Sequence, residues 1–244
     1  MLTIIRAALE AGFLYAPVAM ALFLSFSILN IADMTTDGAF VLGSAVSAMM
    51  CLSGHPVLAL PAGMLAAAAA GFITAFLQTK LSVPSILAGI ITNIGLYSVN
   101  LMVMGKSNQS LFQTDTTYTL AKGAGFAGSW YKLAVTALIV LALAAALVLF
   151  LGTRLGLSVR ATGDNMVRAS SINTNFPITV GLCLANAMTG LAGAMAAQYN
   201  TFADVNGGTG MVVLALAALV IGETLIGKGG MVRRVAGVIL GSII

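Results

Sequence analysis

Long apolar runs decide what this chain can fold into. Five runs approach the roughly 20 residues that a helix needs to cross a bilayer, and they cover residues 11–31, 56–77, 83–104, 130–151 and 176–199. Of the 244 residues, 59% are hydrophobic and only 7% are charged, with a mean hydropathy of +1.04. So few charges cannot cover a water-soluble surface. The sequence therefore predicts an all-α, polytopic membrane protein with one transmembrane domain over residues 1–244.

Three shorter apolar runs, at residues 39–52, 210–226 and 235–244, bring the prediction to about eight transmembrane or half-membrane helices. A half-length helix is stable in a bilayer only where its free backbone groups are buried in protein or line a wet cavity. The last run is too short to span. We therefore expect either a truncated chain or a C-terminal remainder that this sequence does not include.

Two polar, glycine-containing breaks, at residues 30–38 and 222–230, separate apolar runs in the two halves of the chain. Paired interrupted helices of this kind indicate an inverted-repeat transporter whose pathway lies between the repeats. Two ordinary polar turns are the alternative.

Basic residues in the loops predict an orientation. We take the loop at 152–175, which carries three arginines, as cytoplasmic. Alternation of the spans then places the N-terminus outside and makes the polar loop at 105–129 external, as a lid, a docking surface for a soluble partner or a flexible connector. Seven basic residues fall inside (Lys80, Arg154, Arg160, Arg168, Lys228, Arg233, Arg234) and four outside (Arg6, Lys106, Lys122, Lys132). Because the charges lie between apolar runs, we expect contact with the lipid bilayer and no nucleic-acid binding.

Polar residues inside membrane segments are costly, and they usually face a partner or a wet path. Asn93 and Asn100 lie seven residues apart with Tyr97 between them, so one helix face carries all three. Interhelical hydrogen bonding is the alternative role for each such residue. The candidates for the translocation path are Asn30, Asp33, Thr36, Asp37, Asn93, Tyr97, Asn100, Asn186 and Glu223.

The segment at 156–173 is polar and basic and lies between two strong spans. Thr162, Asp164 or Asn165 can cap a helix start, and Met166 and Ala169 follow at helical spacing. We expect a short amphipathic helix that lies on the membrane surface or docks into a groove of a cytoplasmic partner.

Three motifs resemble those of ABC importer permeases related to the branched-chain amino-acid and ribose systems. They are RATGDN at 160–165 with ASSIN at 169–173, similar to the coupling helix of that family, LNIAD at 29–33, similar to its early membrane break, and DMTTDGAFVLG at 33–43. The last is closest to a subgroup linked to aromatic amino-acid uptake. The resemblance covers nearly the whole chain, although the final spans of the family are missing at the C-terminus.

The resemblance implies a permease subunit in the cell inner membrane that forms the solute pathway of an ATP-driven importer, with an amino acid as the expected solute ahead of nucleosides and sugars. It implies a second permease copy or sister subunit, cytoplasmic ATP-binding subunits and an extracytoplasmic substrate-binding protein. The residues expected at the ATPase contact are Arg160, Ala161, Gly163, Asp164, Asn165 and Arg168.

An ion-coupled secondary transporter is the alternative function, because Asp33, Asp37 and Glu223 could couple a proton or sodium ion. The polar loop around Asp164 is needed by an ATP-driven permease and not by an ion-driven carrier. Catalysis is disfavoured, since His55 is the only histidine and no HExxH motif occurs. Residues 222–229 approach a P-loop but lack its final Ser or Thr. We therefore expect no catalytic site, metal site or cofactor in this chain.

Overall fold

The computed structural model describes residues 2–123, 130–164, 174–227 and 229–244. These residues form ten α-helices, the first of which continues as a π-helix at Phe23–Ile28, and two short strands. The helices are α1 Leu2–Leu22, α2 Thr36–Leu52, α3 Pro56–Lys80, α4 Ser85–Met104, α5 Thr117–Gly123, α6 Tyr131–Gly152, α7 Arg154–Asp164, α8 Asn175–Asn200, α9 Met211–Ile226 and α10 Met231–Ile243. The strands are β1 Asn108–Ser110 and β2 Phe202–Asp204.

All five predicted full-length spans are confirmed. Five helical segments are long and apolar enough to cross a bilayer: Ile4–Ile28, Pro56–Lys80, Ser85–Met104, Tyr131–Gly152 and Asn175–Asn200. The helices α2, α9 and α10 are shorter and coincide with the three shorter runs. Together they give the eight transmembrane or half-membrane helices of the predicted all-α membrane fold.

Burial separates central from peripheral spans. In the most apolar stretch of each span, the share that is buried inside the protein is 72% in α1 and 78% in α8. It is only 28% in α4 and 17% in α6. A helix that is apolar on every side and scarcely covered by protein is suited to contact with lipid. The helices α1 and α8 therefore form the core of the bundle, and α4 and α6 lie at its edge.

Glycines allow α2, α3 and α8 to approach closely. A Cβ atom on Gly43 would overlap the backbone of Gly190, and one on Gly190 would overlap Ala67 and the carbonyl of Gly63. Small residues at helix crossings bring backbones together in membrane proteins, where dispersion forces have to drive association. These glycines hold α8 against both α2 and α3.

One end of the bundle, which we call the sheet face, holds the N-terminus of α1, the strands and α5. The Arg6 guanidinium lies 5.9 Å from the centroid of the Trp130 ring, and the Tyr199 hydroxyl donates a hydrogen bond to Glu10. Burial raises the pKa of the Tyr118 phenol, in α5, to about 12. These contacts fix the starts of α1 and α6 beside the end of α8.

The opposite end, which we call the α7 face, holds Asn30, Lys80 and α7. The last turn of α7 packs on the end of α1, since a Cβ on Gly163 would overlap the carbonyl oxygen of Ile28. The helix α1 thus runs from the sheet face to the α7 face, and α8 runs in the reverse direction.

The helix in the 152–175 loop starts earlier than predicted. Thr162 lies inside α7 and donates to the Ser158 carbonyl at 2.9 Å, so it caps no helix start, and Asp164 is the last residue of α7. The true cap is Thr153, whose hydroxyl accepts the Gly156 N–H at 3.2 Å, as Thr does at a helix N-terminus. Asn165, Met166, Arg168 and Ala169 lie outside the described residues.

Two other segments differ from the expectation. The 105–129 loop contains β1, which pairs antiparallel with β2 (Asn108 with Asp204, Ser110 with Phe202), and also α5. The second break is shorter than 222–230, because α9 continues to Ile226 and includes Glu223. The segment that matches the first break is 201–210, which separates the long α8 from the short α9 as residues 29–35 separate α1 from α2.

Gly190→Ala tests the glycine packing. The added methyl overlaps α3 atoms, so we expect a loss of about 1–3 kcal/mol of stability and a lower half-unfolding temperature in detergent, measured by size-exclusion chromatography after heating. Gly95→Ala is the matched control, because a Cβ there meets no atom within 4 Å. Equal half-unfolding temperatures for the two variants would contradict this packing.

Candidate functional site

A cavity of about 480 Å³ opens between the first turns of α2, the middle of α4 and the segment 205–209. Pockets of this size accommodate small organic solutes. Polar and apolar side chains share the walls, and the lining residues are Asp37, Gly38, Val41, Asn93, Ile94, Tyr97, Ser98, Asn100, Val205, Asn206, Gly208 and Thr209. We call this space the α2–α4 cavity.

Asp33 organises the chain just before α2. The residue is 3% exposed; its Oδ1 accepts the Thr35 N–H at 2.9 Å, and its Oδ2 accepts a bond from Asn186 Nδ2 at 2.7 Å. The chain reverses at Asn30, whose φ is 56°, a left-handed conformation that Asn tolerates better than most residues. Asp33 therefore fixes the break against α8 and sets where α2 begins.

Asp37, in the first turn of α2, joins α2 to the start of α9. Its Oδ1 accepts the Val212 N–H at 2.9 Å, and its Oδ2 accepts the Gly210 N–H at 3.3 Å. The first N–H groups of a helix have no partner within the helix, so this carboxylate serves as the cap of α9. Gly208 lies against the Asp37 carbonyl, with no space for a Cβ. The segment 205–210 is thereby fastened to α2 as a wall of the cavity.

The α4 wall carries the polar stripe predicted from the sequence. Asn100 Nδ2 donates to the Gly38 carbonyl at 3.2 Å, and Asn93 packs against Gly38, where a Cβ would lie 2.5 Å from its Oδ1. Tyr97 lies between them and is 51% exposed. The seven-residue spacing thus places both amides on the α2 side of α4, as predicted.

Four of the nine predicted path residues line the α2–α4 cavity, namely Asp37, Asn93, Tyr97 and Asn100. Asn30 lines a separate pocket on the α7 face with Gln78 and Asn175. The remaining four lie elsewhere and are held by protein contacts: Asp33, Thr36, Asn186 and Glu223.

Glu223 forms an ion pair on the α7 face. Arg234 Nη2 lies 2.7 Å from Glu223 Oε1, Ser27 donates to the same oxygen at 2.7 Å, and the Arg234 guanidinium also lies 4.9 Å from the Phe23 ring centroid. The group therefore ties α9 and α10 to the π-helical end of α1, away from the α2–α4 cavity.

Sequence reasoning missed the wall formed by Val205, Asn206, Gly208 and Thr209. The available signal was the segment NGGTG at 206–210, a glycine-rich break directly before a short apolar run. Like the break before α2, this one directly precedes a short apolar helix.

The lining of the cavity is suited to binding a polar solute. Its walls offer one carboxylate, from Asp37, together with amide and hydroxyl groups, and they include no basic side chain. Within the described part of the chain, no three His, Cys, Asp or Glu residues lie close enough to hold a metal ion. Hydrogen bonding to a polar solute is the chemistry that this arrangement supports.

The predicted coupling residues lie on α7 as far as the structure describes them. Arg160 is half-buried and Ala161 exposed, and Gly163 faces the end of α1. Asp164 ends the helix, and Asn165 and Arg168 lie outside the described residues.

Asp37→Ala should free the start of α9. Loss of the cap should destabilise that helix end by about 1–2 kcal/mol and speed hydrogen exchange at the Gly210 and Val212 amides, measured by mass spectrometry. Asp115→Ala is the control, because Asp115 is exposed and lies in another loop. Unchanged exchange at both amides would show that the carboxylate does not cap α9.

Comparisons with known proteins agree with this architecture. The chain is 32% identical over 229 residues, 93% of its own length and 75% of the relative's, to a tyrosine transport system permease protein of Clostridioides difficile (strain R20291). It is 31% identical over 228 residues, 92% and 78% of the two lengths, to an uncharacterised protein of Rickettsia prowazekii (strain Madrid E). No solved structure matches. Because the profile of the family matches residues 4–244, the chain belongs to the permease components of branched-chain amino acid transport systems.

Proposed function

We propose that this chain forms the solute pathway of an ATP-driven importer and that its solute is an amino acid, with tyrosine or a related aromatic amino acid as the first candidate. The α2–α4 cavity is the observation that carries the proposal. It lies where two short helices begin after breaks in the bundle, which is where transporters built from inverted repeats hold their solutes. A tyrosine transport permease among the relatives supports the solute class.

The proposed orientation places the sheet face outside and the α7 face in the cytoplasm. The arginines of α7 and α10 support it, because basic loops favour the cytoplasmic side. An extracytoplasmic substrate-binding protein would then land on the sheet face, where residues 105–123 lie and where Phe112 is 85% exposed. Exposed aromatic side chains are frequent anchors in protein interfaces.

The proposed ATPase contact is the second half of α7, from Arg160 onward, with the residues that follow it. Arg160, Ala161, Gly163 and Asp164 belong to this helix, and charged residues in such a contact fix docking geometry and register. Its packing on the end of α1 supports a coupling role, since motion of α7 would reach the break before α2.

A second permease copy, identical or a sister chain, is proposed to complete the pathway. The helix α4, which carries one wall of the cavity, is among the least covered spans, so the cavity lies at the edge of a single chain. A partner packed beside α4 would enclose it.

Ion-coupled transport is the weaker candidate. Two of the three acidic residues that could bind a coupling ion are paired with polar or charged side chains, Asp33 with Asn186 and Glu223 with Arg234. Carboxylates in such contacts favour a structural role.

Reconstitution tests the proposed function. The chain, its ATPase and its binding protein are placed in liposomes, and uptake of radiolabelled L-tyrosine is measured with and without ATP. We expect ATP-dependent uptake, and we expect Arg160→Ala to reduce both uptake and ATPase co-purification roughly tenfold, as for loss of an interfacial charge pair.

Arg154→Ala is the matched control, because Arg154 is exposed at the start of α7 and lies about 120° around the helix from Arg160. Tyrosine uptake that follows an ion gradient without the ATPase would instead establish a secondary transporter.

A further inference from the structure

We propose that the end of the α2–α4 cavity beside Gly38, which follows Asp37 in the chain and whose carbonyl Asn100 contacts, binds the protonated amine of the solute. The inference rests on the proposed function, because it takes the solute to be an amino acid. It adds which group of that solute the cavity selects and which side chains select it.

The charge of the lining favours a cation at this end. Asp37 is the one ionisable acid among the lining residues, and no lysine, arginine or histidine accompanies it. Each Asp37 oxygen accepts one backbone N–H from the start of α9, although an ionised carboxylate offers about four acceptor positions. A helix N-terminus offsets only roughly half an elementary charge. Asp37 is therefore held in place with acceptor capacity and negative charge remaining.

Asn100 supplies a second acceptor. The residue is 1% exposed, and its Nδ2 is occupied by the Gly38 carbonyl. Its Oδ1 is buried and accepts no hydrogen bond within the described part of the chain. A buried acceptor without a donor is costly. An ammonium group carries three donors, so a bound amine beside Gly38 can donate hydrogen bonds to both Asn100 Oδ1 and the Asp37 carboxylate.

The other walls suit the rest of an aromatic amino acid. Tyr97 is half-exposed beside Ile94 and Val41, which gives an apolar surface on which a ring can pack. The side-chain donors available for the solute's carboxylate are all neutral groups, on Asn93, Tyr97, Ser98, Asn206 and Thr209. Hydrogen bonds to a charge are strongest when the partner is also charged. The amine should therefore contribute more to binding than the carboxylate.

Solute analogues test this ranking directly. The full chain is placed in lipid nanodiscs without the binding protein, whose own selectivity would mask that of the cavity, and binding of radiolabelled L-tyrosine is measured. Tyramine, which lacks the carboxylate, should displace it within about tenfold of unlabelled L-tyrosine, whereas 3-(4-hydroxyphenyl)propionate, which lacks the amine, should be at least about a hundredfold weaker. Equal potency of the two analogues, the reverse order, or no saturable L-tyrosine binding would overturn the proposal.

Substitutions at Asn100 separate recognition from packing. Asn100→Asp keeps the acceptor and should retain tyramine binding, whereas Asn100→Leu, of similar size, should weaken it roughly tenfold or more. Both lose the amide bond to Gly38, so an equal loss of tyramine binding in the two variants would assign the effect to that bond and not to the acceptor. Thr92→Val removes a buried hydroxyl on the same helix, outside the cavity lining, and should change tyramine binding less than about twofold.

The uptake assay with the complete transporter distinguishes the two proposals. ATP-driven tyrosine uptake combined with binding that ignores the amine would overturn this inference and leave the proposed function intact. Absence of ATP-driven uptake for every amino acid tested would overturn the proposed function, and this inference with it.

Discussion

Two aspartates from one break allow the backbone to leave helical geometry inside the bundle. Asp33 accepts the Thr35 N–H before α2, and Asp37 accepts the Gly210 and Val212 N–H groups at the start of α9. In a membrane interior, water cannot satisfy such groups, and each unsatisfied one costs several kcal/mol. The short helices α2 and α9 can therefore begin within the protein only because these carboxylates replace the missing partners. The cavity exists between them as a consequence.

Hydropathy predicted the spans, because burial in lipid depends on the composition and length of a segment. Both can be read from neighbouring residues in the sequence. The position of α2 was predicted for the same reason, since the polar run before it is unmistakable in the sequence. The second break begins at 227 and not at 222. The sequence predicted 222 because Gly222 and Glu223, a flexible and a charged residue, interrupt the apolar pattern there. Within the structure Gly222 instead packs closely against Gly237 of α10, so its small size serves a helix contact. That distinction depends on a neighbour that local sequence does not reveal.

The sequence predicted the α4 wall of the cavity, because that wall depends on helical spacing alone. Asn93, Tyr97 and Asn100 share one helix face by spacing alone, so their common location follows from helical geometry. Asp33 and Asn186 are polar residues in equally apolar stretches of sequence. In the structure, however, Asn186 donates a hydrogen bond to Asp33 across 153 positions of sequence. A polar side chain that lines a cavity and one that is paired in the core carry the same sequence signal. Only the tertiary contacts separate them.

Close backbone contacts at the α7 face join α7, the end of α1 and the start of α4 around the first break. Gly163 of α7 fits against the Ile28 carbonyl without space for a Cβ, and Gly89 of α4 lies close to the backbone of Met34. Protein interiors are packed too densely to absorb a shift at such contacts locally. If α7 is the ATPase contact proposed above, its displacement would move the end of α1, and the break between Ile28 and Asp37 would carry that motion to the first turn of α2. Because Asp37 also holds α9, two walls of the cavity would respond together. The π-helical turn at Phe23–Ile28 lies at the start of this route, and π-helical turns inside helices are frequent at functional sites.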